Sequence, residues 1–66
     1  MKICVNDEVR EVRTGTTVLS LVQELGLDPK VVAAQRNGVV LERDAFGSVV
    51  LEEDDALELL RLVGGG

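Results

Sequence analysis

Met1, Ile3 and Val5 alternate with Lys2 and Cys4, the period-two pattern of a strand with one buried face. Asn6-Asp7 follows, two residue types that tolerate positive φ, and Val9 to Arg13 returns as the second arm of a hairpin. Thr14-Gly15-Thr16-Thr17 breaks the extended pattern, and Thr16 or Thr17 is placed to cap a helix with its hydroxyl. Val18, Leu21, Val22 and Leu25 then recur at helical spacing, so a helix of about two turns presents one apolar face. Gly26 suits a left-handed C-cap, and Pro29 prevents continuation. Val31 to Arg36 is a third strand, with the pair Ala33-Ala34 where a neighbouring backbone runs close. Asn37-Gly38 is a type I′ turn signal leading into the short run Val39-Val40-Leu41. Glu42 to Phe46 fits one irregular helical turn, with Phe46 plugging an end of the core, and Val49 to Leu51 is another short extended run.

The last apolar stretch, Ala56 to Val63, offers two registers: Leu57, Leu59, Arg61 and Val63 on one face, or Glu58, Leu60 and Leu62. A strand apolar on both faces belongs in the middle of a sheet. One short helix covers only one face, so Leu60 and Leu62 are expected to be partly exposed on the other, beside Cys4, as a partner-binding surface. The order of elements, with a right-handed crossover through the helix, yields an α+β fold: a mixed four- or five-stranded sheet packed on one short helix. Its first and last strands are parallel and central. That is the β-grasp, or ubiquitin-like, arrangement, expected to span residues 1–63 and to leave 64–66 as a flexible tail.

Composition narrows what such a domain can do. The 66 residues are 45% hydrophobic and 29% charged, with Phe46 the sole aromatic and no His. Imidazole catalysis and His-based metal sites are thereby excluded. A net charge of −5 and the lack of stacking platforms argue against nucleic acid and for a basic protein surface as partner. Cys4, the one cysteine, cannot form an internal disulfide and reads as a small apolar filler. No signal region and no apolar run near the ~20 residues of a membrane span are present, so the expected setting is the cytoplasm and the expected free state a monomer. The acidic run Glu52-Glu53-Asp54-Asp55 lacks the spaced ligands and glycine of a calcium loop. It is expected to form a solvated turn, Asp54 at positive φ, with no metal.

Gly64-Gly65-Gly66 closes the sequence directly after the last strand. On its own it is either a frayed tail or a thin stem carrying a carboxylate into a slot that excludes side chains.

These residues resemble the ThiS family, the bacterial sulfur carriers of thiamine-thiazole biosynthesis, over nearly the whole chain. Met1-Lys2-Ile3-Cys4-Val5-Asn6 is similar to the family's first strand ending at Asn, and Thr17-Val18 with Leu21 and Leu25 to its helix. Asn37-Gly38, Arg43 and Phe46 resemble its "N-G-x-x-x-x-R-x-x-W" segment with Phe for Trp. Glu53-Asp54-Asp55 and Leu57-Glu58-Leu59 resemble its "D-G-D" turn and last strand, and Val63-Gly64-Gly65-Gly66 its tail. Glu42 departs from a usual proline and Asp54 from a usual glycine.

The resemblance implies that the Gly66 carboxylate is adenylated by a ThiF-like enzyme, which binds the ATP and magnesium. No cofactor would be held by this chain. Sulfur from a donor such as a cysteine desulfurase would then displace AMP, and the resulting thiocarboxylate would deliver sulfur at a ThiG-like thiazole synthase. Gly64 and Gly65 would serve as a stem free of β-carbons, and the protein would be a co-substrate and not an enzyme. The alternatives are another β-grasp sulfur carrier, either like the small subunit of molybdopterin synthase or serving cysteine or tRNA, and a ubiquitin-like modifier or interaction domain. The length of 66 residues favours the thiamine carrier over the longer molybdopterin chains.

Overall fold

Two tight turns set the register of the sheet. At Asn6 and Asp7, φ is 49° and 67°, and at Asn37 and Gly38 it is 51° and 83°. Positive φ at both central residues gives the type I′ geometry whose twist matches that of paired strands. In the computed structural model, which describes residues 1–62, these turns join β1 (Lys2–Val5) to β2 (Glu8–Glu11) and β3 (Val32–Arg36) to β4 (Val39–Leu41). The fifth strand, β5 (Ala56–Arg61), lies between the hairpins, parallel to β1 and antiparallel to β3. The sheet order is β2-β1-β5-β3-β4, the expected mixed β-grasp sheet.

The helix α1 (Val18–Glu24) crosses one face. Thr17 is its N-cap and forms a reciprocal capping box: Thr17 Oγ1 accepts from the Ser20 amide at 3.1 Å, and Ser20 Oγ accepts from the Thr17 amide at 2.9 Å. At the other end, Gly26 (φ 76°) donates to Gln23 O and Leu27 to Val22 O, the two bonds of a Schellman motif. Ile3 and Val5, Val18, Leu21 and Val22, Val32 and Ala34, and Leu57 bury the facing sides of strand and helix. Phe46 and Leu51 close the core from the loops, Phe46 being 2% exposed.

Several boundaries differ from the sequence pattern. The two-residue turn pairs Val5 with Glu8, so β2 begins at Glu8 and ends at Glu11, not Arg13. Val31 closes a 3-10 turn, Pro29–Val31, capped by Asp28, and β3 starts one residue later. Val49 to Leu51 is not a strand: it makes one bridge, Thr17 with Val50, flanked by Val18 N to Val49 O and Leu51 N to Thr16 O. Its backbone groups are used to tie down the start of α1. A second 3-10 turn, Arg43–Ala45, begins at Glu42, whose φ of −69° and ψ of 143° are those of proline. Arg43 Nε donates to Pro29 O at 2.9 Å and links the two 3-10 turns. Asp54 sits at φ 68°, the conformation a glycine would adopt without strain. Val63, the boundary at 63 and the tail residues Gly64, Gly65 and Gly66 lie outside the described residues.

Candidate functional site

Alternation along the strands sends every second side chain to the face that α1 leaves open. The cross-strand register places Val9 opposite Cys4, Cys4 opposite Ala56, Glu58 opposite Gln35, Gln35 opposite Val40, and Leu60 opposite Ala33 on that face. Val9, Val40 and Leu60 are 72%, 68% and 65% exposed, and Leu62 is 46% exposed. Large apolar side chains therefore stand among the small Cys4, Ala33 and Ala56 and the polar Gln35 and Glu58. Leu60 and Ala33 border a shallow depression rimmed by Asn6, Gln35 and Glu58. Cys4, a half-buried free thiol, shares the face but does not adjoin Leu60. Its register partner is Ala56, four positions earlier in β5, or ~13 Å at the usual rise per residue. Cys4 instead lines a separate small depression with Lys2, Val9 and Asp54.

The leading end of β5 is fixed by a polar network that the sequence pattern did not reveal. Asp55 is 5% exposed, so the acidic run is not a fully solvated turn. Its carboxylate accepts from Arg36 Nε at 2.9 Å, Asn37 Nδ2 at 3.1 Å and the Glu52 amide at 2.8 Å. Burial pushes this carboxyl up, but the bonds from Glu52, Asn37 and Arg36, with the guanidinium charge, outweigh it and hold the group below its ordinary 3.8. Asn37 also brackets Ala56, donating its backbone N–H to Ala56 O and accepting from Ala56 N on Oδ1.

Further along β5, Asn6 brackets Leu59 with both polar atoms of its side chain. Leu59 N donates to Asn6 Oδ1 at 2.8 Å, and Asn6 Nδ2 donates to Leu59 O at 3.2 Å. The sequence signals Asn6 only as a turn residue, because its partner lies 53 positions away. Among the described residues, no group of three His, Cys, Asp or Glu is arranged to hold a metal ion, and no helix is long and apolar enough to cross a membrane.

The arrangement is a central strand hydrogen-bonded along both edges, beneath an open face that carries exposed Val9, Val40 and Leu60. Comparison with known proteins gives a consistent assignment. Similar solved structures are the crystal structure of the thiamine biosynthesis protein (ThiS) from Geobacter metallireducens, 33% identical with a TM-score of 0.85 over the full length of both chains, and a solution structure of a thiamine biosynthesis protein from the same organism, 33% identical with a TM-score of 0.82 over all of this chain and 88% of that one. Among curated proteins, the chain is 44% identical over 66 residues to a thiazole synthase of Magnetococcus marinus and 35% identical over 66 residues to one of Paramagnetospirillum magneticum. It spans 20% of the length of each of those relatives. The ThiS family model matches residues 2–66, through the final glycines. On this full-length match, the chain belongs to the ThiS family.

Proposed function

We propose that this protein is a sulfur carrier for thiazole formation in thiamine biosynthesis, acting in the cytoplasm as a co-substrate of other enzymes. The observation that carries the reading is the family match continuing through Gly64-Gly65-Gly66 on a β-grasp domain. The chemistry resides in the carboxylate of Gly66. A carboxylate is a poor electrophile, and a ThiF-like partner would join it to AMP from ATP, using its own bound magnesium, to create a leaving group. A persulfide from a donor such as a cysteine desulfurase then attacks the acyl carbon and displaces AMP to give an acyl disulfide, and a thiol reductant cleaves its S–S bond to leave a thiocarboxylate, an anionic nucleophile at neutral pH. Gly64 and Gly65 matter for the side chains they lack.

The exposed Leu60 and Leu62, with Cys4 further along the same face, supply the docking surface. A four-residue segment spans at most roughly 14 Å, so a partner holding Gly66 must rest near the Leu60–Leu62 end of β5. Thiazole synthase as the receiving partner is supported by the two relatives of that name, in which a segment similar to this chain forms part of one longer polypeptide.

The test is intact mass spectrometry of the 66-residue protein after incubation with the adenylating enzyme, ATP and a sulfur donor. The expected shift is the difference between one sulfur and one oxygen atom. It should be absent when Gly66 is deleted or in Gly65→Trp, with the circular dichroism spectrum unchanged. An unshifted mass for the wild type, with a partner that loads its own carrier, refutes the reading.

A further inference from the structure

We propose that Asn6 is a positioning residue for sulfur loading: its side-chain amide stands in for the peptide group that β1 would present if it continued, and so fixes the path along which β5 runs toward the tail. The bond pattern has a two-residue step. Cys4 N donates to Asp55 O and Asn6 N donates to Leu57 O, each at 2.9 Å. The next rung requires a donor and an acceptor facing Leu59. No backbone can supply them, because β1 pairs with β5 only as far as Val5 and Leu57, and positive φ at Asn6 and Asp7 turns the chain back into β2. The Asn6 carboxamide fills the gap with both halves of the rung, 2.8 Å to Leu59 N and 3.2 Å from Leu59 O.

Asparagine meets both demands at this position. It tolerates positive φ, and it carries an acceptor and a donor in one planar amide of peptide-like shape. Aspartate has no donor for Leu59 O, and glycine has no side chain. On its other edge β5 stays bonded to the β3 side as far as Leu62 N to Val31 O at 2.7 Å. Without the Asn6 rung, the strand beyond Leu57 is held along that edge alone and can pivot about it. Leu59 lies seven positions before Gly66. A tilt at Leu59 therefore changes the direction in which β5 leaves the sheet toward the group that must meet an activated phosphate, where a displacement of about 1 Å can cost about a hundredfold in rate.

The functional arm rests on the carrier reading, and the structural arm does not. Asn6→Gly keeps the positive φ unstrained, and Asn6→Asp keeps the shape while placing an oxygen against Leu59 O; both retain the Asn6 N to Leu57 O bond. In Asn6→Gly, which loses the acceptor, hydrogen exchange at the Leu59 amide is expected to quicken by about tenfold or more relative to amides of α1 such as Val22, and in Asn6→Asp, which keeps that acceptor and loses only the donor to Leu59 O, by less. In sulfur loading by the adenylating enzyme, kcat should fall about tenfold with KM for the carrier held within about twofold. A merely structural role would lower the competent fraction and speed Val22 exchange in step with Leu59. Unchanged Leu59 protection, unchanged kcat, or a loss that follows global unfolding each overturns the proposal. A wild-type protein that accepts no sulfur overturns the carrier reading alone, and Leu59 exchange then decides whether Asn6 holds the strand.

Discussion

Asp55 is the most informative residue to perturb, because one buried carboxylate accepts three hydrogen bonds from groups 18 and 19 positions upstream and from a third within its own turn. Replacing it by Ala leaves the Asn37 amide, the Glu52 amide and the Arg36 guanidinium without their shared acceptor. The two neutral donors cost about 1 kcal/mol each. The guanidinium costs a similar amount, at the low end for a charged donor, because its side chain keeps 26% exposure and lies 3.6 Å from the solvated Glu52. The total of about 3 kcal/mol removes most of the ~3–5 kcal/mol that a core of this size supplies and leaves about 0–2 kcal/mol, so Asp55→Ala should be marginally stable, with up to about half of the chains unfolded.

Asp55→Asn is the usable variant. It keeps an acceptor for Arg36 and Glu52 but sets a donor against Asn37, an expected loss of about 1–2 kcal/mol. With a urea slope of about 1 kcal/mol per molar, the midpoint should fall by about 1–2 M. With neither Trp nor Tyr in the chain, far-UV circular dichroism is the natural probe. The pH dependence checks the cause. The folded-state value of Asp55 lies below 3.8, so its contribution is present above the unfolded-state value and disappears as pH falls through the folded one. The stability gap between wild type and Asp55→Asn should be widest at neutral pH and narrow below about pH 4. A gap that stays constant from neutral pH into acid would refute the assignment of the stability to the ionised carboxylate.

Other substitutions test separate features. Glu42→Pro should stabilise by about 0.4–1 kcal/mol, since φ already fits the ring and Leu41 before it is extended; a lowered thermal midpoint would contradict this. Asp54→Gly should be neutral or slightly stabilising and Asp54→Val destabilising by about 1–2 kcal/mol, both measured by urea denaturation, because of the positive φ at that site. Thr17→Ala removes the cap and should cost about 1 kcal/mol, with Ser20→Ala losing the reciprocal bond and a smaller amount. Leu60→Glu should leave the thermal midpoint nearly unchanged, the side chain being 65% exposed, while weakening binding to the proposed adenylating partner by tenfold or more in calorimetry, about 1.4 kcal/mol.

What the sequence made legible were features governed by near neighbours. Asn37-Gly38 and Asp54 signal positive φ by residue type, Gly26 ends the helix, and the spacing of Val18, Leu21 and Val22 gives its buried face. The competition between two registers for β5 was decided by the helix: Leu57 turns inward and Leu60 outward. What stayed hidden depends on pairing across long separations. Asp55 looks like one more carboxylate in an acidic run until β3 brings Arg36 and Asn37 to it. Ser20 carries no sequence signal for its capping bond, because a capping box usually has Glu or Gln at that position. Asn6 resembled any turn residue because its second role exists only once β5 has arrived. The glycine stem rests on residue type and family likeness alone and lies outside the described residues.

The position of β5 in the sheet has a consequence for how the protein acquires its structure. The β1–β2 and β3–β4 hairpins each close locally through a two-residue turn, but their strands do not pair with each other: β5, last of the five strands in the sequence, is inserted between them. Pairing β5 with β1 closes a loop of about fifty residues, an entropic cost to be met before the two halves reinforce each other. Completion of the sheet should therefore limit the refolding rate, and substitutions at Leu57 should slow folding more than substitutions in either turn. Cleavage before Ala56 would leave two hairpins with no strand to join them. The segment that carries the tail is thus also the one that makes the rest of the chain cooperative.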